Sequence, residues 1–182
     1  MPHIPVDENL PGIAGLFAFR PETAAPLGQF AEVLLRGPSS LTVGERELIA
    51  TVVSRANECE FCFRSHAAVA AEALDGGRAA VDAACRNADD APVSPKVGAL
   101  LKIALAVRET GRAVTGELVA AARAGGATDL EIHDTVLISA AFCLFNRYVD
   151  GLGAITPDND ELYRQMGARL LHGGYLGVGA AS

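Results

Sequence analysis

The sequence predicts an all-α fold, a single-domain bundle of about seven to eight helices spanning residues 1–182. Three observations carry this. No stretch alternates apolar and polar residues for longer than a few positions, so nothing reads as a strand. Ala and Leu dominate, aromatic residues make up only 5% of the chain and Trp is absent, a composition that packs as close-set helices rather than sheet. Helix-start signatures recur along the chain, as Thr42 with Glu45, Ser94 with Pro95, and Thr128 with Glu131. Half of the residues are hydrophobic, enough to build one substantial core.

Residues 1–20 are punctuated by Pro and Gly, with Ile4, Leu10, Ile13 and Leu16 as scattered apolar anchors, and are expected to form an extended N-terminal arm. Pro21 or Pro26 suits the first turn of a helix reaching Arg36, with Leu27, Phe30, Ala31, Leu34 and Leu35 as its apolar stripe. The core is expected over residues 41–153. It begins with a helix capped by Thr42 and Glu45 that runs to about Arg55, with Leu48, Ile49, Val52 and Val53 inward and Glu47 at the edge of that face. Further helices are expected over 57–74, 78–87, 95–110, 115–125 and 128–150, and a last one from Pro157 to about Leu171. The Gly-rich residues 173–182 are expected to be a flexible tail.

A net charge of −7 without any basic block argues against nucleic acid and anionic membrane surfaces as partners. No apolar run reaches the roughly 20 residues of a spanning helix. The start, MPHIPVDENLPG, has neither a basic region nor an apolar core of the secretory kind, so the expected location is cytoplasmic. In a reducing compartment four cysteines are not a structural disulfide framework, and a CxxC pair reads as catalytic or metal-binding.

That pair is Cys59 and Cys62. On a helix Cys59, Cys62 and His66 stand at i, i+3 and i+7 and share one face. Asn57 as N-cap with Glu60 three positions on would start this helix, placing Cys59 in its first turn, where the helix dipole favours a thiolate. At i, i+3 two Cα atoms lie about 5–6 Å apart, within the range a disulfide tolerates. A structural zinc needs four N or S ligands, and beyond this trio only the remote Cys85 and His133 are available, so no metal site is expected.

The run LTVGERELIA…SRANECEFCFRSH resembles the carboxymuconolactone decarboxylase superfamily, and within it the alkylhydroperoxidase D-like, peroxidase-related branch. The branch pattern, a Glu, then CxxC, then a His four residues after the second Cys, is met by Glu47, Cys59, Cys62 and His66. FNRYVDGLG, Phe145 to Gly153, is similar to a later helix of the same branch. The resemblance implies a homo-oligomeric helical bundle and a thiol-dependent peroxidase. In it Cys62 is the peroxide-reactive thiol, Cys59 the resolving one, and Glu47 with His66 the proton relay. No cofactor is implied beyond a redox-active Cys59–Cys62 disulfide, which a dithiol electron donor, a lipoyl or thioredoxin-like protein, would reduce.

The position of Cys59 at a helix start pulls the other way, making it the more acidic of the two thiols. Phe61 stands where founding members carry a further histidine and would make the pocket mouth apolar, suiting organic hydroperoxides. Asn146 and His133 on the long 128–150 helix are further pocket candidates. Two alternatives stand beside the peroxidase. One is a decarboxylase-type lyase, against which the CxxC pair argues because the decarboxylase members lack it. The other is a non-enzymatic module that binds zinc or senses redox state.

Overall fold

The structure, a computed structural model, describes residues 1–89 and 91–179. Among the described residues it is entirely helical, in the order α1 (Ile13–Phe19), α2 (Pro21–Arg36), α3 (Val43–Ala56), α4 (Glu60–Ala73), α5 (Gly77–Arg86), α6 (Pro95–Glu109), α7 (Gly116–Ala124), α8 (Asp129–Gly151) and α9 (Asp160–Gly173), with one 3₁₀ turn at Gly111–Ala113. None of these helices is long and apolar enough to cross a membrane. Their number exceeds the expected seven to eight because the N-terminal arm is not extended throughout: residues 13–19 form α1, whose Leu16 and Phe17 are buried.

The middle of the bundle is α3, in which Leu48, Ile49, Ala50 and Val53 are inaccessible to solvent. Helices α4, α6 and α8 pack around it, and α9 covers the far side of α4. The last contact is close: a Cβ on Gly167 of α9 would come within 2.8 Å of the Ala68 Cβ on α4. Only a residue without a side chain lets the two helices approach this far. The core also reaches outside residues 41–153, since Leu34 and Leu35 of α2 and Leu170 of α9 belong to it.

The caps of α3, α6 and α8 are the expected ones. Thr42 and Thr128 each close a reciprocal capping box, with Glu45 and Glu131, while Ser94 and Thr115 accept from the backbone of Val97 and Leu118. Two starts differ. Asn159, not Pro157, caps α9 through the Leu162 N–H. Asn57 does not begin α4; it ends α3, and Cys59 is itself the N-cap of α4, without a side-chain cap bond.

Glu131 does more than cap. Its buried carboxylate also accepts from Lys96 Nζ at 2.8 Å and Ser40 Oγ at 3.0 Å, joining α8 to α6 and to the turn before α3. Burial opposes its charge, but the bonds from Lys96, the Thr128 N–H and Ser40 prevail and hold the carboxyl at about 2, against an ordinary 4.5. A depressed folded-state pKa contributes stability that is complete above the unfolded value and is lost as pH falls from about 4.5 toward 2. The contribution is on the order of 3 kcal/mol. Glu131→Gln is therefore expected to lower unfolding free energy in urea at pH 6 by about this amount and by almost nothing near pH 2. A pH-independent difference would show that the carboxylate's charge is not what stabilises the fold.

Candidate active site

The site is assembled from α2, α3, α4 and the segment after α9, with Glu47 at its centre. Glu47 lies well inside α3, with no solvent exposure, rather than at the edge of its inward face. An isolated carboxylate could not remain charged there. It has three partners: Arg36 Nη1 and Tyr175 Oη each reach Oε1 at 2.6 Å, and His66 Nδ1 reaches Oε2 at 2.7 Å. Burial pushes the carboxyl up, but the charge and hydrogen bond of His66, the Arg36 guanidinium and the Tyr175 hydroxyl together hold it below the ordinary value.

An ionised carboxylate can only accept, so the proton between Glu47 and His66 belongs to His66 Nδ1. This fixes the tautomer of the neutral ring and leaves the Nε2 lone pair free. The ring is further pinned edge-on against Phe142, centroids 4.5 Å apart, and nearly parallel to Tyr175 at 5.9 Å.

Cys62 and His66, one turn apart on α4, line the same narrow cavity of about 50 Å³. That volume admits a few water-sized groups. Its other walls are mainly apolar, including Leu35, Phe61, Phe142 and Phe145, with no Lys or Arg among the lining residues. Cys59 is fully buried beneath Leu16 and the N-terminal segment, in a small cluster with Phe61, Cys62, Val149 and Tyr163. Both cysteines are free thiols. The expected acidity of Cys59 is not what the structure gives. A hydrogen bond to Cys62, burial and the Cys62 charge push its thiol far above the ordinary range, and Asp150 adds to the effect. A favourable helix end does not offset burial beside a second sulfur.

The turn that presents Cys59 is braced from three sides. Asn57 Nδ2 donates to Asn146 Oδ1 at 2.8 Å and to Cys143 Sγ at 3.6 Å, while its Oδ1 accepts from Arg108 Nε at 3.2 Å. Asn146 Nδ2 in turn donates to Ser54 Oγ, and the Cys59 N–H returns to the Ser54 carbonyl. Held between these bonds, Glu58 sits at φ 61, a left-handed conformation costly for a residue with a Cβ.

Of the three pocket candidates, Phe61 alone lines the cavity. It is a buried wall and not an open mouth: Gly12, at φ 55, lies flat against its ring, where any Cβ would come within 2.1 Å. Asn146 is buried in the brace just described, so it shapes the turn and not the cavity. His133 stands on the outer face of α8 with its side chain 66% exposed, beside Asp134. The register of α8 turns position 133 away from α3 and α4.

Two site residues escaped the sequence reading. In the sequence Arg36 reads only as the end of its helix. Tyr175 fell in the stretch expected to be a flexible tail, yet its N–H donates to Glu32 Oε2 at 2.6 Å and its buried ring lies under Arg36, 4.9 Å from guanidinium carbon to centroid. The tail is therefore docked at Tyr175 and again at Val178, which lines the cavity; its last three residues, 180–182, lie outside the described residues. No cluster of metal-ligating side chains is found among the described residues.

The model of the carboxymuconolactone decarboxylase family matches residues 21–106, which includes Arg36, Glu47, Cys59, Cys62 and His66. No curated protein matches the chain. Among solved structures, the chain is similar to an alkylhydroperoxidase AhpD core from Ralstonia eutropha JMP134, described as an uncharacterized peroxidase-related protein. The TM-score is 0.79 and the identity 26%, over 91% of this chain and 96% of that one. It also shares its fold with an uncharacterized peroxidase-related protein from Silicibacter sp. TM1040, with TM-score 0.75 and 24% identity over 85% and 78% of the two chains.

Proposed function

We propose that the protein, whose residues 21–106 match the model of the carboxymuconolactone decarboxylase family, is a thiol-dependent peroxidase that reduces organic hydroperoxides through a Cys59–Cys62 dithiol/disulfide cycle. The observation that carries this reading is that Cys62 shares its cavity with a His66 whose Nδ1 is bonded to a buried, ionised Glu47.

In this cycle His66 Nε2 accepts the Cys62 proton, and Glu47 stabilises the resulting imidazolium. The thiolate attacks one peroxide oxygen, forming an S–O bond as the O–O bond breaks. The departing alkoxide takes the proton from His66 and leaves as the alcohol. Cys62 is then a sulfenic acid, two electrons more oxidised than the thiol. The Cys59 sulfur attacks that sulfur, the S–O bond breaks, and hydroxide departs with the Cys59 proton as water. An external dithiol, a lipoyl or thioredoxin-like protein of the cytoplasm, returns the pair to thiols by exchange. The placement of the two sulfurs supports this order, since Cys62 lines the cavity beside His66 and Cys59 does not.

The apolar lining favours a hydroperoxide with an organic substituent over a strongly hydrated one. It also disfavours the lyase alternative, because a lactone acid brings a carboxylate and the cavity offers it no Lys or Arg. Both arginines nearest the CxxC are engaged elsewhere, Arg55 over the Phe63 ring and Arg64 with Asp158 and Asp160. We further propose a homo-oligomer, to which the outward Leu144 of α8 and Val33 of α2 contribute apolar surface.

The deciding measurement is a thiol count by peptide mass spectrometry after one equivalent of tert-butyl hydroperoxide. One new Cys59–Cys62 disulfide is expected, with Cys85 and Cys143 still reduced. If oxidation falls on Cys85 or Cys143, or is spread evenly over all four thiols, the assignment is wrong.

A further inference from the structure

Tyr163, on the first turn of α9, faces α4 with its residue 3% exposed, and its hydroxyl is a buried polar atom without a hydrogen-bond partner. The other two such atoms among the described residues, Arg36 Nε and Arg46 Nε, belong to guanidinium groups that are bonded through other nitrogens. Tyr163 has only the one polar atom, so it is wholly unpaired in the resting dithiol protein. A buried hydroxyl left this way is destabilising and calls for a reason.

Its surroundings supply one. Tyr163 belongs to the cluster that encloses Cys59 and Cys62, with its ring 6.0 Å from that of Phe61. The other members and their neighbours, Leu16, Val149 and Met166 among them, are apolar apart from the two thiols and Tyr148, and none of them is hydrogen-bonded to the Tyr163 hydroxyl. The Arg64 guanidinium lies over the outer face of the ring, 4.4 Å from its centroid, and draws electron density from it, which makes the O–H a better donor. The carboxylates whose charge reaches the ring, Glu60 and Asp158, are solvent-exposed and paired with Arg64, whereas the chemistry places a buried negative charge on the sulfur of Cys62.

Resting on the peroxidase reading, we propose that the Tyr163 hydroxyl is a hydrogen-bond donor to the sulfur of Cys62 in its charged state, held unpaired in the resting enzyme so that the bond is gained only when the thiolate forms. A hydroxyl turns about its C–O bond toward a new acceptor without moving the ring, and packing against Phe61 and Arg64 keeps that ring in place. An interaction made in the charged state and absent before it accelerates the step, whereas one present in both does not. Burial, with Glu60 and Cys62 adding to it against Arg64, pushes the phenol up to about 12, so it remains a donor throughout the working range. The other ionisable groups around Cys62 are Cys59 and His66 on α4 and its cap, Tyr175 of the segment after α9 across the cavity, and Asp150 of α8 behind Cys59.

Tyr163→Phe tests this in the full-length reduced protein with three readouts. Thermal unfolding should be unchanged or shifted upward, because the variant loses only an unsatisfied group. The rate with tert-butyl hydroperoxide should fall about tenfold, the worth of a hydrogen bond to a charged atom. The pH midpoint for iodoacetamide alkylation of Cys62, followed by peptide mass spectrometry, should rise by about one unit. A wild-type midpoint in the variant overturns the proposal whatever the rate does. So does a lowered melting temperature with an unmoved midpoint, which marks a packing role. If the wild-type protein does not consume hydroperoxide, the peroxidase reading fails, and the alkylation midpoint still decides whether Tyr163 serves the Cys62 thiolate.

Discussion

Cys62→Ser is expected to abolish hydroperoxide reduction, by about a thousandfold or more, while Cys59→Ser fails in a different way. Serine in place of the attacking sulfur is a far weaker nucleophile and cannot be oxidised, so neither a first turnover nor any later one proceeds. With Cys62 intact and Cys59 replaced, the first peroxide is still consumed and the sulfenic acid on Cys62 persists because nothing condenses with it. A burst of one equivalent, followed by arrest and by labelling of Cys62 with dimedone, is the expected signature. The asymmetry follows from the environments of the two sulfurs. Cys62 opens onto the cavity beside His66, whereas Cys59 is fully buried beneath the N-terminal segment. A dimedone adduct on Cys59 in the Cys62→Ser protein would reverse the roles.

What could be read from the chain and what could not divide along sequence distance. Both capping boxes were legible because Thr42 and Thr128 reach only three residues to their partners. Glu47, Cys59, Cys62 and His66 were legible as a spacing, since helical periodicity places Cys62 and His66 together whatever surrounds them. Asn57 misled because an Asn serves at either end of a helix. Its side chain was claimed by Asn146 and Arg108, far along the chain, rather than by its own next turn. Arg36 and Tyr175 carried no local signal at all. One is an ordinary cation in the last turn of a helix, the other a tyrosine in a Gly-rich stretch, and their meaning appears only when both converge on the same carboxylate oxygen. Helix α1 was hidden by the glycines that flank and interrupt its seven residues, and its stability comes from burial of Leu16 and Phe17 instead of from propensity.

Glu47→Gln is the second substitution of large expected effect, and its consequences follow from counting donors. The carboxylate accepts from Arg36 and Tyr175 on one oxygen and from His66 on the other. An amide has one oxygen and an NH₂. If that NH₂ faced Arg36 and Tyr175 it would oppose two donors, so the amide oxygen stays with them and the NH₂ turns to His66. His66 Nδ1 must then accept, the ring proton moves to Nε2, and the lone pair that would take the Cys62 proton is gone. The catalytic rate constant over KM should fall by about 10²–10⁴, the range of a lost general base. Arg36 meanwhile becomes a half-buried cation that has lost its buried counterion, so unfolding free energy should drop by about 3 kcal/mol at neutral pH. Because the folded-state carboxyl lies below its ordinary 4.5, that difference between the proteins is present above pH 4.5 and shrinks as pH falls below it. Tyr175→Phe is the internal control. It keeps the carboxylate, Arg36 and the histidine tautomer and removes one hydrogen bond to a charged group, so it should cost only about 1.5–3 kcal/mol of stability and leave the Cys62 alkylation rate at pH 7 near that of wild type. Were Glu47→Gln to lose stability and still reduce hydroperoxide at the wild-type rate, Glu47 would be a structural counterion to Arg36 and His66 would need no orienting acid.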